Sequence, residues 1–221
     1  ALRLPPRYAD LGLLGLGGMG EVRRVRDTRL NRTVAMKILH RRDPHSRAES
    51  RFIEEAQTSA QLEHPGLLPI YDTDRLADGR LYFTMQEVHG QTLAAVIEQA
   101  HKGTDWTSME GEAAMRRLVA ALHQAAVAVG YAHERGVIHR DIKPTNILVG
   151  TGGAVLVVDW GIARVSGTAV VVDRRLDTPA TTMVGTPQYM APEQARGEPA
   201  LPTTDVSVSY THLTLPTIQP V

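Results

Sequence analysis

The glycines at positions 15, 17 and 20 of the stretch GLGGMGEV, residues 15–22, restrict what the chain can fold into. Glycine has no side chain, so this backbone can approach the oxygens of a phosphate group closely. A dinucleotide-binding turn with the same spacing would open a helix. Here the following residues carry β-branched Val22 and Val25 among arginines, without a helical apolar stripe. A polar turn at 27–32 and an apolar run at 33–39 follow, so the glycines are predicted to form the bend of a β-hairpin.

A lysine lies inside the second of these runs, VAMKIL. Burying the ammonium group of Lys37 is costly without an anionic partner. The side chain therefore either extends into water or points at phosphates beneath the glycines. The second alternative requires a nearby carboxylate, and the predicted helix at 46–63 offers Glu54 and Glu55. Because adjacent helical residues point about 100° apart, at most one of the two faces the lysine. Spacing alone does not choose between them.

The second half of the chain combines a long helix with a charged cluster between apolar residues. Apolar residues three or four positions apart predict an amphipathic helix over 113–133. The residues of this stripe are Met115, Leu118, Leu122, Ala125, Val129 and Ala132. In VIHRDIKPTNILV, residues 137–149, apolar pairs bracket the polar side chains, which is typical of a loop whose polar groups are held in place. Asp159 lies at the end of the strand-like run AVLVVD. An aspartate at this place is either a functional carboxylate or the first residue of a turn.

The composition excludes some classes of partner. Lys+Arg and Asp+Glu each number 24, so a zero net charge gives no general attraction to nucleic acid or to an anionic membrane. The chain has no cysteine and therefore no disulfide or thiolate metal site. The longest apolar runs, such as 154–158, are too short to cross a bilayer. We therefore expect no nucleic-acid partner and no membrane segment in this stretch of chain.

Five motifs occur in one order along the chain: GLGGMGEV, VAMK, HRDIKPTN, DWG and GTPQYMAPE. With them the chain resembles the protein kinase family, and within it the bacterial serine/threonine kinases of eukaryotic type. The resemblance implies an α+β, two-lobe fold with an ATP cleft between the lobes. The small lobe is an antiparallel sheet with one helix, and the larger lobe is mainly helical and incomplete here. The implied divisions are a flank at 1–6, a kinase domain at 7–205 (small lobe 7–84, hinge 85–88, partial larger lobe 89–205) and a tail at 206–221.

The resemblance also implies the roles of four catalytic residues in transferring a phosphoryl group from ATP. Lys37 would contact the α- and β-phosphates and pair with a glutamate of the following helix. The family pattern F-x-x-E-A selects Glu55 for this pair, with Glu54 as the minor alternative. Asp141 would accept the proton of the substrate hydroxyl. Lys143, two residues further on, would steady the γ-phosphate.

The implied ligands are ATP and Mg²⁺, with Mn²⁺ as the alternative cation. Asn146 and Asp159 would hold the cation, which prefers hard oxygen ligands. Met85 falls at the gatekeeper position, and the backbone of 87–88 would bind the adenine edge. The nucleotide-binding residues implied by the family's motifs are Gly15, Leu16, Gly17, Gly18, Gly20, Val22, Ala35, Lys37, Met85, Glu87, Val88 and Leu148.

The catalytic-loop and GTPQYMAPE motifs imply that the substrate is serine or threonine in a protein. Thr186 is expected to contact the catalytic aspartate. Arg140 corresponds to the arginine that often receives a phosphorylated activation-loop residue in the family. In that loop, Thr182 is the expected autophosphorylation site, ahead of Thr181 and Thr178. Autophosphorylation between two copies would involve a homodimer.

The chain departs from the family in two places. Trp160 replaces the usual Phe after the metal-binding aspartate, an exchange that keeps a large aromatic side chain. After Asp205, the sequence VSVSYTHLTLPTIQPV has no Lys, Arg, Asp or Glu, and its first part resembles a translated sequencing adapter. We therefore expect residues 206–221 to be non-native or disordered and the domain to be truncated and poorly active as it stands. A divergent natural terminus is the alternative.

Two other functions stand beside protein phosphorylation. One is an inactive nucleotide-binding or scaffold module, a pseudokinase, although the intact Lys37, Asp141, Asn146 and Asp159 argue against it in the parent protein. The other, a dinucleotide-dependent oxidoreductase, is disfavoured by the hairpin after the glycines. The expected location is the cytoplasm, and a membrane anchor elsewhere in the parent protein is left open.

Overall fold

The computed structural model describes residues 2–40, 47–165, 170 and 185–206. These residues form two compact units. The first unit contains the described residues up to 63 together with 68–88. The second contains 64–67 and the described residues from 89 onward.

A five-stranded antiparallel sheet forms most of the first unit. In spatial order β1-β2-β3-β5-β4, its strands are β1 (Tyr8–Leu16), β2 (Gly20–Asp27), β3 (Arg32–Leu39), β4 (Ile70–Arg75) and β5 (Leu81–Met85). The hairpin predicted at the glycines is confirmed, because β1 pairs antiparallel with β2 on either side of them. A Cβ atom on Gly20 would lie 2.2 Å from the carbonyl oxygen of Ile38. Only glycine therefore allows β2 to begin this close to β3.

Each face of this sheet carries its own apolar layer, because strand side chains alternate between faces. One layer consists of Tyr8, Val25, Val34, Met36, Ile38, Leu76 and Tyr82. On the other face packs α1 (Arg47–Gln61), the helix predicted at 46–63. Its Phe52 and Ala56 pack with Leu39, Leu81 and Phe83 of the sheet. The position of α1 on this face brings its polar side chains close to those of β3.

A buried carboxylate connects the segment before β1 to the β2–β3 turn. The Asp27 side chain is 1% exposed and accepts hydrogen bonds from Arg7, with Nη2 to Oδ2 at 2.7 Å and Nε to Oδ1 at 3.1 Å. Its Oδ1 also accepts from the backbone N–H groups of Arg29 and Leu30, at 3.1 and 3.3 Å. These hydrogen bonds, chiefly those from the Arg7 guanidinium, lower the pKa of Asp27 to about 2. The ionised form therefore stabilises the fold.

We expect Asp27→Asn to lower the free energy of unfolding by about 2 kcal/mol at neutral pH, since a charge-assisted hydrogen-bond pair is lost. The folded pKa of about 2 is below the ordinary 3.8, so this stabilisation is complete above pH 3.8 and is lost as the pH falls through about 2. Urea unfolding as a function of pH measures both effects. The matched control is Asp78→Asn, which removes a carboxylate that is 51% exposed. Equal losses in the two variants would contradict the prediction.

Two longer helices begin the second unit after the short strand β6 (Gly90–Thr92). Helix α2 (Leu93–Gly103) begins at Thr92, whose hydroxyl accepts a hydrogen bond from the N–H of Ala95 at 3.2 Å. Helix α3 (Met109–Glu134) confirms the prediction at 113–133 but starts four residues earlier. Its first residue follows Ser108, whose hydroxyl accepts from the N–H of Gly111 at 3.1 Å. This N-cap explains the earlier start.

The remaining elements of the second unit are short and surround the charged cluster. They are β7 (Val137–Ile138), a 3-10 turn (Pro144–Asn146), β8 (Ile147–Gly150), β9 (Val155–Val157), β10 (Arg164–Val165), a second 3-10 turn (Pro187–Tyr189) and α4 (Pro192–Ala195). Strands β6, β8 and β9 form one antiparallel sheet, and β10 pairs with β7. The two sheets hold the intervening loop, residues 139–146, at both ends.

The apolar stripe predicted on α3 is buried only over its second half. Ala125, Val129 and Ala132 are buried, whereas Met115 is 46% exposed and Leu122 is partly exposed. Within the described part of the chain, the first half of this predicted stripe is therefore only partly covered. Helical periodicity identifies the face of a helix but does not say how far along it the neighbouring elements extend. None of the described helices combines the length and apolar character needed to span a bilayer.

Candidate functional site

An ion pair joins β3 to α1 in the first unit. The ammonium nitrogen of Lys37 lies 2.6 and 2.8 Å from the two carboxylate oxygens of Glu55. The two side chains are only 17% and 7% exposed, so the pair is largely shielded from water. Of the two glutamates that helical spacing leaves open, Glu55 is the one that contacts the lysine. This contact supplies the anionic partner that a lysine in an apolar strand requires.

The glycine-rich bend between β1 and β2 leaves open space beside its backbone. Among the described residues, no atom lies within 4 Å of a Cβ atom built on Gly15 or Gly18, and the nearest to one on Gly17 is 3.6 Å away. Packing within the described chain therefore does not require glycine at these positions. Leu16 beside them is 71% exposed. The bend fits a group that comes close to the backbone from outside, as a phosphate would.

Four of the side chains expected to bind nucleotide share one face of the first unit's sheet. Val22 lies opposite Lys37 in the β2–β3 ladder, and Ala35 lies opposite Met85 in the β3–β5 ladder. Ala35 is buried and the other three are partly exposed. Residues 87–88 follow the end of β5. Leu148, the remaining predicted nucleotide-binding residue, lies on β8 in the second unit and is partly exposed.

The loop between β7 and β8 holds one carboxylate with donors from three residues. Oδ2 of Asp141 accepts from Nζ of Lys143 at 2.6 Å and from Nδ2 of Asn146 at 3.2 Å. Oδ1 accepts from the backbone N–H and the hydroxyl of Thr186, at 2.9 and 2.8 Å. The predicted contact between Thr186 and the aspartate is thus confirmed. The Asp141 side chain is still 12% exposed, so this fixed carboxylate retains access to a ligand.

Two oxygen-bearing side chains of the second unit fit the predicted cation. Asp159 is exposed, and no hydrogen bond or ion pair joins its carboxylate to another described residue. Its φ of 68° is in the left-handed region, which is strained for a residue other than glycine. Asn146 uses its amide nitrogen for Asp141, so its amide oxygen stays available. One carboxylate and one amide suit Mg²⁺, which takes further ligands from phosphate and water. No group of three His, Asp or Glu side chains that could hold a metal occurs within the described residues.

The comparison with known families is consistent with this geometry. A model of the protein kinase domain matches residues 8–214. The chain belongs to the protein kinase family. This match confirms the family predicted from the five motifs and its α+β fold class, with an antiparallel sheet and one helix in the first unit.

The kinase domain is similar to bacterial proteins named as serine/threonine-protein kinases. It is 39% identical over 204 residues to PknB of Mycolicibacterium smegmatis, covering 88% of this chain and 30% of that protein. PknB of Mycobacterium tuberculosis is 38% identical with the same coverage. PknD of Chlamydia felis is 33% identical over 213 residues, covering 90% of this chain and 23% of that protein. The chain therefore spans less than a third of the length of these relatives.

The kinase domain contains a supporting carboxylate to which the sequence analysis assigned no role. Asp205 is 2% exposed and accepts hydrogen bonds from the backbone N–H groups of His139 and Arg140, at 2.9 and 2.8 Å. Its Oδ2 also lies 2.7 Å from Nε2 of His133 on α3. Arg140 has a φ of 68°, so these bonds hold a strained backbone directly before Asp141. The signal in the sequence is the family pattern S/T-D-V, which residues 204–206 match and which carries no statement of what the aspartate contacts.

His139 joins the loop at 139–146 of this kinase domain to the residue before Asp159. The imidazole ring is fully buried, and its centroid lies 4.5 Å from that of Trp160. Its Nδ1 accepts from the backbone N–H of Asp141 at 3.2 Å, so the proton of the neutral ring is on Nε2. Nε2 can then donate to the carbonyl oxygen of Val158, 3.0 Å away. The buried His139 side chain thereby connects the backbone of Asp141 to the residue before Asp159, so it holds these two predicted functional residues in position relative to each other.

Only some of the residues expected to regulate the kinase domain lie in the part of the chain that the structure describes. Thr178, Thr181 and Thr182 lie outside the described residues, as does the tail from 207 to 221. Arg140, the expected partner of a phosphorylated residue, is 8% exposed, and its Nε donates to the carbonyl oxygen of Ile162 at 2.6 Å. The role of this arginine stays a prediction.

Proposed function

We propose that this chain is the catalytic part of an enzyme that transfers the γ-phosphoryl group of ATP to serine or threonine hydroxyls of proteins. The observation that carries the proposal is the carboxylate of Asp141, held by Lys143, Asn146 and Thr186 while still accessible. A structural carboxylate would need no such access. The names of the bacterial relatives support serine and threonine as the acceptors.

The proposed step exchanges one P–O bond for another. The bond between the γ-phosphorus and the oxygen bridging to the β-phosphate breaks, and a bond from the hydroxyl oxygen to the γ-phosphorus forms. Asp141 accepts the proton that the hydroxyl loses, and ADP leaves. Lys143 stands 2.6 Å from the Asp141 carboxylate and donates to the transferring phosphoryl oxygens. Thr186, which hydrogen-bonds with both Asp141 and Lys143, holds these two side chains in position relative to each other.

The nucleotide is proposed to bind through three kinds of group. The backbone at Gly15, Gly17, Gly18 and Gly20, together with exposed Leu16, covers the phosphates, and Lys37 bonds them while Glu55 holds its ammonium. Val22, Ala35, Met85 and Leu148 contact the base, and the backbone of Glu87 and Val88 bonds its edge. Asn146 and Asp159 hold Mg²⁺ or Mn²⁺, which neutralises charge on the phosphates.

The domain bounds, location and further partners also belong to this proposal. Residues 7–205 form the kinase domain, with the small lobe at 7–84, the hinge at 85–88 and the partial larger lobe at 89–205, and 206–221 are a non-native or disordered tail. The domain acts in the cytoplasm on protein substrates. Two copies associate transiently for autophosphorylation of the activation loop, with Thr182 as the acceptor ahead of Thr181 and Thr178.

Incubation of the full-length protein with Mg²⁺ and γ-labelled ATP tests the proposal. We expect label on phosphoserine and phosphothreonine of a general protein substrate, none on phosphotyrosine, and complete loss of transfer when the cation is chelated. Peptide mass spectrometry should also find phosphate within residues 165–190. ATP binding without any transfer would identify a scaffold module instead. Active protein without phosphate at 165–190 would reject only the activation-loop part.

A further inference from the structure

A second ion pair lies in the first unit, away from the one between Lys37 and Glu55. Nε of Arg24 on β2 lies 2.7 Å from Oε1 of Glu87, and Nη2 of the same guanidinium contacts the same oxygen. Glu87 comes two residues after the end of β5. The pair therefore joins a strand of the sheet to the segment that follows β5.

The strand register places Arg24 on the face that carries the predicted nucleotide-binding side chains. Arg24 lies directly opposite Ala35, and Ala35 lies directly opposite Met85. Directly opposed residues of antiparallel strands project to the same face. Val22 shares this face because it precedes Arg24 by two positions, a distance of about 7 Å along the strand. Val22 and Ala35 therefore form an apolar patch bounded by Lys37 at one end and by Arg24 at the other.

Arg24 supplies a cationic partner to Glu87, whose carboxylate is shielded from water. The Glu87 side chain is 6% exposed, and that of Arg24 is 41% exposed. A buried carboxylate is costly without a cationic partner. Residues 86–88 lie outside the strands, where Gln86 N–H donates to the carbonyl oxygen of Pro69 at 3.2 Å. The ion pair thus fixes the direction of the Glu87 side chain. This matters because residues 86–88 do not form part of a strand of the sheet.

We propose that Arg24 is a positioning residue for the base of the nucleotide. Through the Glu87 carboxylate it holds the backbone of 87–88 in the orientation that bonds the adenine edge. A guanidinium is planar and its donors are fixed in direction, so such a pair sets an angle as well as a distance. The inference rests on the proposed function, because it takes ATP as the ligand. In this proposal Arg24 affects the binding of the base of ATP, and Lys37 affects the binding of its phosphates.

Titration calorimetry with ATP and with adenosine on the full-length protein tests this assignment. Arg24→Ala should weaken the binding of both ligands about fivefold, the size expected for a partly exposed ion pair. Lys37→Met should weaken the binding of ATP and leave the binding of adenosine unchanged, because adenosine has no phosphates. The matched control is Arg23→Ala, which removes the neighbouring arginine from the opposite face of β2, where it pairs with Asp10 and Glu21. This control should bind both ligands like the wild type. Exchanging the pair, Arg24→Glu with Glu87→Arg, should restore most of the lost affinity.

Each other result of the same titrations overturns the inference. A loss for ATP without a loss for adenosine would place Arg24 at the phosphates. Equal losses in Arg24→Ala and Arg23→Ala, with equally lowered thermal stability, would make its role structural. Unchanged affinity in Arg24→Ala, beside normal ATP binding by the wild type, would reject the inference and leave the proposed function intact. A wild type that binds no ATP would reject both.

Discussion

Asp141→Asn will lower kcat for phosphoryl transfer about a thousandfold and leave the affinity for ATP nearly unchanged. Asparagine has the same shape as aspartate, but it cannot accept the proton of the substrate hydroxyl. Its amide oxygen can still accept either from Lys143 and Asn146 or from Thr186, so two of the four hydrogen bonds to this side chain remain, and the 12% exposure of the site lets water replace part of the rest. Initial rates at saturating ATP, together with ATP titration calorimetry, separate the two effects.

Asp105→Asn provides the matched control for this substitution. Asp105 lies on the loop between α2 and α3 of the same unit, and its Oδ1 accepts from the N–H of Thr107 at 2.9 Å. The asparagine oxygen can keep that bond, so we expect both kcat and affinity to remain at wild-type values. If Asp141→Asn also retained its kcat, the carboxylate would not be the base. If it lost ATP binding in parallel with kcat, the change would act on the site as a whole.

The local pattern of the sequence predicts the elements that carry the site. The glycines at 15–22 precede a strand, and the structure forms the predicted hairpin there. Periodicity also predicts α1 and α3, but it leaves Glu54 and Glu55 undecided. The family pattern selects Glu55, which is the residue that contacts Lys37. Local patterns suffice where the structure depends on neighbours along the chain.

The contacts that the sequence analysis missed join residues far apart in the chain. Arg24 and Glu87 are 63 positions apart, and Asp205 is 66 positions from the backbone of His139. Neither pair leaves a periodic signal, because each depends on how strands and loops come together. Helical periodicity likewise predicts α3 but not which part of its apolar face is covered, because the period does not contain the position of the neighbouring elements; Met115 on that face is 46% exposed.

The support beneath the loop that carries Asp141 depends on the two oxygens of Asp205. Oδ2 accepts from the backbone N–H of His139 and lies 2.7 Å from His133, while Oδ1 accepts from the N–H of Arg140. An asparagine at this position has one oxygen and one NH₂ group. In either orientation, its NH₂ group faces a backbone N–H donor, so one buried donor loses its acceptor. With the NH₂ group at the Oδ1 position, the unpaired donor is the N–H of Arg140, the strained residue immediately before Asp141.

We therefore expect Asp205→Asn to lower the free energy of unfolding by about 3 kcal/mol, the cost of an unsatisfied buried group beside a lost charge. We also expect kcat to fall at least about tenfold, because a catalytic group displaced by a fraction of an ångström loses its alignment. Urea unfolding and initial rates measure the two effects. Glu98→Gln is the control, since its carboxylate is 66% exposed and pairs with Lys102 across one turn of α2. Were Asp205→Asn no less stable than this control, the carboxylate would not be holding the loop. Were it unstable but fully active when folded, the loop would keep its geometry without it.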